Sequence, residues 1–229
     1  NATAPTELYT ILNTLSLPAA LPIFLHPLVH PLLLHRAAKP VVWCLCLAPL
    51  AWLVVALFTQ QLGANPAEAL LRSTGDWALR GLCLALAITP LRQALGLPAL
   101  ARMRRLIGLF AFFYAAIHAL CYLWLDMGWQ WALALDDVLQ RPFILVGALA
   151  VLLLLALALT SPKRAVQLLG AQQWQRLHHS IHAAAWLALL HFYWMRLGKN
   201  QWAEVAVYAA IVAALQGWRI RSRRTRGKV

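Results

Sequence analysis

The segment RRLIGLFAFFYAAIHALCYLWLD (residues 104–126) sets the class of this protein, because His118 is the one residue among the types His, Lys, Arg, Asp and Glu between Arg105 and Asp126. The stretch between those two charges is about 20 residues long, which is enough to cross the hydrocarbon core of a bilayer. An ionisable residue inside such a span is costly, so His118 is a candidate functional residue. The segment predicts a transmembrane helix that carries an imidazole.

The composition extends this interpretation to the whole chain. Of the 229 residues, 62% are hydrophobic and 12% are charged, whereas a soluble domain has about 25% charged residues. An ordinary soluble globular protein is therefore excluded. The apolar segments lie at about 40–62, 76–95, 106–126, 142–160, 177–195 and 201–219. The stretches between them are expected to be loops, and GANPAEALLRSTG (63–75) is marked as one by Gly63, Pro66 and Gly75. We predict an all-α integral membrane protein, a six-transmembrane-helix bundle that forms one domain over residues 40–220.

The basic residues indicate how this bundle is oriented. Of the 20 Lys and Arg, 15 fall in the segments 36–39, 92–105, 163–176 and 219–228, which all lie on one side of the six spans. Basic residues are retained on the cytoplasmic side of a membrane. Both termini are therefore expected in the cytoplasm of a multi-pass protein.

The two ends of the chain flank this domain. Residues 1–39 are interpreted as an N-terminal extension and an interfacial segment; residues 1–24 fit neither a secretory signal nor a span, and we assign them no structure. Residues 221–229 form a basic cytoplasmic tail. Next to a membrane, such a tail is expected to contact anionic lipid, and no nucleic acid is expected as a partner.

A second histidine-bearing segment, RLHHSIHAAAWLALLHFYW (residues 176–194), supplies His178, His182 and His191. His118 and His191 each lie thirteen or fourteen residues from the cytoplasmic start of their spans, or about 20 Å at 1.5 Å per residue. Two imidazoles at equal depth on facing helices can hold a haem iron between them. On a straight helix, His178 would lie some 140° from His191 and about 40° from His182. The helix must therefore bend if His178 and His191 are to point to the same side of it.

The remaining residues leave alternatives open. His178 lies at the inner surface, where a second haem or a flavin could bind, with His182 as a substitute ligand. Arg104 and Arg105 are topology determinants that could also pair with haem propionates or a flavin phosphate. The histidines could instead only bridge helices by hydrogen bonds. No serine-hydrolase elbow, phosphate loop, zinc-protease or dinucleotide motif occurs, and the four cysteines are expected to be packing residues.

Three parts of the chain carry a resemblance to a known family. They are ITPLRQALGLPALARMRRLIGLFAFFYAAIHALCYLW (88–124), RPFILVGALAVLLLLALALTS (141–161) and LGAQQWQRLHHSIH with LLHFYW (169–194). The chain resembles the MsrQ family, the haem-binding membrane subunits of the periplasmic methionine sulfoxide reductase system, within the ferric-reductase-like transmembrane superfamily. The resemblance covers roughly residues 40–220.

This resemblance implies cofactors, partners and site residues. It implies one haem b at His118 and His191 and a second at His178, and it implies flavin mononucleotide (FMN). Arg104 stands fourteen residues before His118, where the superfamily often has another histidine, so the second haem lacks its usual partner.

The family's function supplies the leading hypothesis. Electrons pass from the quinone pool or a cytosolic flavin reductase across the bacterial inner membrane to MsrP, a periplasmic molybdenum-cofactor enzyme that reduces methionine sulfoxide in oxidised proteins. Reduction of the sulfoxide then takes place in the partner. Two alternatives are a stand-alone ferric or quinone reductase cytochrome b, and a haem-free six-helix transporter or assembly protein.

Overall fold

The computed structural model describes residue 27, residues 29–198 and residues 201–226, so residues 1–24 lie outside the described part. The first helical stretch, at residues 29–34, is left unnumbered. The helices after it are numbered in chain order: α1 (Ala38–Phe58), α2 (Pro66–Ala94), α3 (Ala101–Cys121), α4 (Trp131–Gln140), α5 (Pro142–Leu159), α6 (Lys163–Leu169), α7 (Ala171–His178), α8 (Ile181–Leu197) and α9 (Trp202–Arg226). A 3₁₀ turn (Pro98–Leu100) precedes α3, and a π-helical turn (Tyr122–Asp126) continues it. No strand occurs among the described residues, which confirms the all-α class.

Within the described residues, four helical segments are long and apolar enough to cross a membrane: Ala38–Phe58, Pro98–Asp126, Pro142–Leu159 and Trp202–Ser222. They correspond to α1, α3, α5 and α9, and they make the chain a membrane protein. Of the other two predicted spans, α2 is 29 residues long but carries several charged side chains, and α8 has 17 residues.

Helix α2 begins earlier than the sequence pattern predicts. Residues 63–75 were expected to form a loop because of Gly63, Pro66 and Gly75, but the helix starts at Pro66. The Asn65 side chain accepts a hydrogen bond from the Glu68 N–H at 3.1 Å, and Pro66 occupies the first helical turn, where its missing N–H costs nothing. A good start signal therefore outweighs Gly75 in the helix interior.

The predicted fifth span is two helices rather than one. Helix α7 ends at His178 and α8 begins at Ile181, with a turn at His179 and Ser180. The straight-helix angles predicted between His178, His182 and His191 therefore do not apply. Elsewhere, the connections expected as loops contain α4, α6 and α7, and residues 221–226 continue α9.

The core is built by α2 against α3 and by α5 against α8, with α9 closing the cluster. Its members are Leu79, Leu82, Cys83, Leu86, Ala111, Ala115, Leu154, Leu157, Ala184, Ala185, Leu189, Phe192, Val205 and Val212. Ala111, Ala184 and Ala185 are fully buried. Such small residues let membrane helices approach closely, which is how bundles pack when lipid is as apolar as the core. The four cysteines are free thiols.

A tyrosine from α3 is bonded to the backbone of α1. The Tyr114 hydroxyl donates to the Cys46 carbonyl at 2.7 Å and accepts from the Leu50 N–H at 3.2 Å. These groups flank Pro49, which has no N–H to contribute to the helix. The hydroxyl thus satisfies backbone groups beside the proline and fastens α1 to α3.

Replacing Tyr114 with Phe should destabilise the protein by about 1–2 kcal/mol, because two backbone groups in apolar surroundings lose a partner. The measurement is the free energy of unfolding of the detergent-solubilised protein. Tyr193→Phe is the matched control: its ring lies 5.9 Å from the Trp202 ring, and no hydrogen bond of its hydroxyl is found within the described chain. Equal stability of the two variants would contradict this role of the Tyr114 hydroxyl.

Candidate functional site

His118 on α3 and His191 on α8 lie side by side within the bundle. Their ring centres are 6.1 Å apart and their planes are inclined at 74°. Both side chains are half-buried. Two histidines that are 73 positions apart in the sequence are therefore neighbours at the same level of the bundle.

Each ring is held by one hydrogen bond to the backbone of a neighbouring helix. His118 Nδ1 lies 2.8 Å from the Leu71 carbonyl on α2, and His191 Nδ1 lies 2.7 Å from the Phe143 carbonyl on α5. A carbonyl oxygen can only accept, so Nδ1 of each neutral ring carries the proton and donates it. The Nε2 atoms then keep their lone pairs, which is the usual arrangement of metal-binding histidines.

This pair fits a haem iron better than a bare metal ion. Two axial imidazoles on one iron, each at a bond length of about 2 Å, have ring centres about 6 Å apart because each nitrogen lies at the rim of its ring. Within the described ranges, no group of three or more His, Cys, Asp or Glu side chains could hold a metal ion. A centre with two protein ligands suits an iron whose other four positions are filled by a macrocycle.

His178 lies elsewhere, at the end of α5. Its Nε2 is 3.2 Å from the Thr160 hydroxyl, and its ring stacks on Trp174 with ring centres 4.0 Å apart. The Trp174 indole N–H donates to the Thr160 carbonyl at 2.8 Å. Beside this cluster, Arg105 Nε donates to the Ser161 hydroxyl at 3.1 Å. His178 and Arg105 therefore share one corner of the bundle, apart from the pair of His118 and His191.

Arg104 and His182 line a separate cavity of about 190 Å³. Helices α2, α3, α8 and α9 surround this cavity, and its polar lining also includes Gln93, Gln216 and Arg219. The turn at His179 and Ser180 directs His182 to this cavity while His178 contacts α5. The structure therefore divides the predicted inner-surface residues between two locations.

An ionic cluster around Arg196 was not predicted from the sequence. The Arg196 side chain is 8% exposed, and its Nη2 lies 3.0 Å from Asp76 and 3.3 Å from Glu204. Arg196 also donates to Gln201. Asp76 follows Gly75 in α2, where the sequence analysis placed the boundary between a loop and a span. A carboxylate at the start of a predicted span was the signal available in the sequence.

The ionic cluster borders an open crevice of about 310 Å³ between α2 and α9, which Asp76 and Glu204 line together with Arg80 and Tyr208. Arg80 Nε donates to the Tyr208 hydroxyl at 3.1 Å, and its guanidinium lies 4.7 Å from the centre of the Trp77 ring. All four polar groups of the crevice therefore have partners within the protein.

The chain is similar to one family model and to several known proteins. The family model described as "Ferric reductase like transmembrane component" matches residues 74–190, which include His118, His178 and His182. A protein of Polaromonas naphthalenivorans named "Protein-methionine-sulfoxide reductase heme-binding subunit MsrQ" is 56% identical over 188 residues, covering 82% of this chain and 86% of that protein. The chain belongs to the MsrQ family.

Other MsrQ proteins match over the same extent. Relatives of that name from Ralstonia nicotianae and Caulobacter vibrioides are 44% and 42% identical, and the matches cover 81% and 82% of this chain and 85% and 89% of the relatives. The expected MsrQ resemblance is thereby confirmed. No solved structure matches the chain.

The ionic cluster generates a prediction about stability. Arg196→Ala should cost about 3 kcal/mol in the free energy of unfolding, because it leaves the Asp76 carboxylate without its cation in a largely buried setting. Glu204 is 54% exposed, so Glu204→Ala should cost less than about 1 kcal/mol. Adding Asp76→Ala to Arg196→Ala should cost little more than Arg196→Ala alone. Additive effects of the Asp76 and Arg196 substitutions would contradict the coupling.

Proposed function

We propose that this chain is the haem b subunit of a methionine sulfoxide reductase system and carries electrons across the bacterial inner membrane. The observation that carries the proposal is the pair of His118 and His191, whose rings lie 6.1 Å apart with each Nδ1 bonded to a backbone carbonyl. The names of the MsrQ relatives, which call them heme-binding subunits of protein-methionine-sulfoxide reductase, support the same function.

In this proposal, His118 and His191 would hold one haem b through its iron. The haem, when bound, accepts and releases one electron at a time. The protein's own contribution would be to leave both Nε2 lone pairs available by bonding each Nδ1 to a backbone carbonyl, and to exclude water with the surrounding helices. With two imidazole ligands the iron would have no free coordination position, which would suit electron transfer rather than oxygen chemistry.

The proposed bundle has six spans with both termini in the cytoplasm. The distribution of 15 of the 20 basic residues on one side of the spans supports this orientation. The two further spans would be α2, which carries charged side chains, and α8, which is only 17 residues long. The histidine pair then lies in the outer half of the bilayer, toward the periplasm.

A second cofactor is proposed for the cytoplasmic side. His178 would hold a second haem after breaking its bond to the Thr160 hydroxyl, with Arg105 close to it. FMN, which the resemblance implies, needs a cationic pocket for its phosphate, and the cavity lined by Arg104 and Arg219 offers guanidinium groups. Electrons would enter here from a cytosolic flavin reductase, or elsewhere from the quinone pool.

The proposed electron acceptor is a periplasmic molybdenum-cofactor reductase of the MsrP type. Reduction of a methionine sulfoxide to methionine and water consumes two electrons and two protons, so two single-electron transfers serve one turnover. The sequence of this chain has no nucleophile motif, which agrees with a conduit whose substrate chemistry takes place in a partner. The physiological result is the repair of oxidised periplasmic proteins.

The haem assignment predicts the spectra of histidine variants. His118→Ala and His191→Ala should each abolish the low-spin b-type absorption spectrum, because one axial ligand is lost, while the protein still inserts into the membrane. His179→Ala is the control, since His179 is exposed and its Nδ1 bonds only to Gln175 in its own helix. The measurement is the reduced-minus-oxidised spectrum with haem counted per chain. An unchanged spectrum in either test variant would exclude that ligand, and colourless wild-type protein would favour the haem-free alternative.

The electron-transfer assignment predicts reoxidation by a partner. Dithionite-reduced protein in vesicles should be fully reoxidised by a small, sub-stoichiometric amount of an MsrP-type reductase only when methionine sulfoxide is also present, because the sulfoxide is the final acceptor and the reductase alone can take up few electrons. Rapid absorption spectroscopy of the haem follows the reaction, with methionine replacing the sulfoxide as the control. Reoxidation by ferric citrate alone, with no response to the reductase, would instead support a stand-alone ferric reductase.

A further inference from the structure

Both histidine rings of the candidate haem site lie directly against a glycine. A Cβ atom added to Gly75 on α2 would lie 3.0 Å from His118 Nδ1 and 3.1 Å from its Cε1. On Gly147 of α5, it would lie 2.8 Å from His191 Nδ1 and 2.9 Å from its Cε1. The Gly147 distances are shorter than real Cβ contacts, so an alanine there forces the His191 ring or the helix to shift. The Gly75 distances are tighter than most real Cβ contacts, so beside an alanine the His118 ring has to move by a few tenths of an ångström.

The two glycines also occupy equivalent positions relative to the accepting carbonyls. Gly75 lies four residues after Leu71, and Gly147 lies four residues after Phe143. In a helix, each carbonyl accepts a hydrogen bond from the N–H four residues later, which here belongs to the glycine. The imidazole must therefore approach the second lone pair of the carbonyl oxygen across the surface of that glycine. A Cβ tilts toward the helix N-terminus and would cover this approach.

Nothing in the backbone requires a glycine at either position. Neither Gly75 nor Gly147 has a positive φ, and both lie inside regular helices. Glycine weakens a helix relative to alanine. The rings that the two glycines contact give a reason for both, and the same arrangement occurs once for each histidine.

We propose that Gly75 and Gly147 are positioning residues for the two axial ligands. By leaving the Leu71 and Phe143 carbonyls open, they allow each Nδ1–H to form a short hydrogen bond, which fixes the rotation of the ring about its side chain. Such a bond also makes the imidazole a stronger donor to the metal. A stronger donor favours ferric iron, so the glycines keep the reduction potential of the haem low. This inference rests on the haem ligation proposed above.

Gly147→Ala and Gly75→Ala test the inference. Each substitution should push its ring away from the carbonyl, shift the midpoint potential of the haem to more positive values, alter the low-spin ferric EPR spectrum and weaken haem binding. The effect should be larger for Gly147→Ala, because its Cβ contact is the shorter one. The measurements are a potentiometric titration, EPR spectroscopy and titration of hemin into haem-free protein. If Gly147→Ala does not fold, Gly75→Ala carries the test.

Two other glycines provide matched controls. A Cβ on Gly81 would meet the Ala111 backbone at 3.1 Å, so Gly81→Ala disturbs the packing of α2 on α3 without touching a histidine. A Cβ added to Gly108 on α3 would have no contact within 4 Å. Both control variants should keep the wild-type potential and EPR spectrum, even if Gly81→Ala lowers stability.

The outcomes separate this inference from the proposed function. Wild-type potential and EPR spectra in both test variants, or an equal shift in Gly81→Ala, would overturn the positioning role while leaving the haem in place. Wild-type protein that binds no haem would overturn the proposed function, and the inference with it.

Discussion

The structure depends on two hydrogen bonds from imidazole N–H groups to helix carbonyls, one on each side of the candidate haem site. They join α3 to α2 through His118 and Leu71, and α8 to α5 through His191 and Phe143. The same helix pairs form the most extensive contacts of the bundle. Each of these close helix pairs therefore supplies one ring and the carbonyl that accepts its hydrogen bond.

Counting residues from the ends of apolar segments was sufficient to bring His118 and His191 together. A helix has a fixed rise per residue, so equal distances from the same membrane surface predict equal depth. Composition likewise predicted an all-α membrane protein, because few polar residues are available for a water-exposed surface. Tertiary contacts hardly change the rise of a helix per residue and do not change the composition, so both predictions could be made from the sequence.

Other features depend on contacts that a single sequence does not contain. The turn at His179 and Ser180 separates His178 from His182, although neither Gly nor Pro occurs between residues 171 and 197 to mark it. Asp76 was overlooked because its cation, Arg196, lies 120 positions later in the chain. Gly75 was interpreted as a loop residue, and only the position of the His118 ring beside it gives another reason for a glycine. In each case, the deciding partner comes from another helix.

The central claim is that His118 and His191 bind one iron from opposite sides. Pulsed EPR of the ferric protein, prepared with and without ¹⁵N-labelled histidine, counts the imidazole nitrogens bound to the iron. The account predicts two histidine nitrogens on a low-spin iron. Detection of one histidine nitrogen, or of none, on the wild-type iron would contradict it.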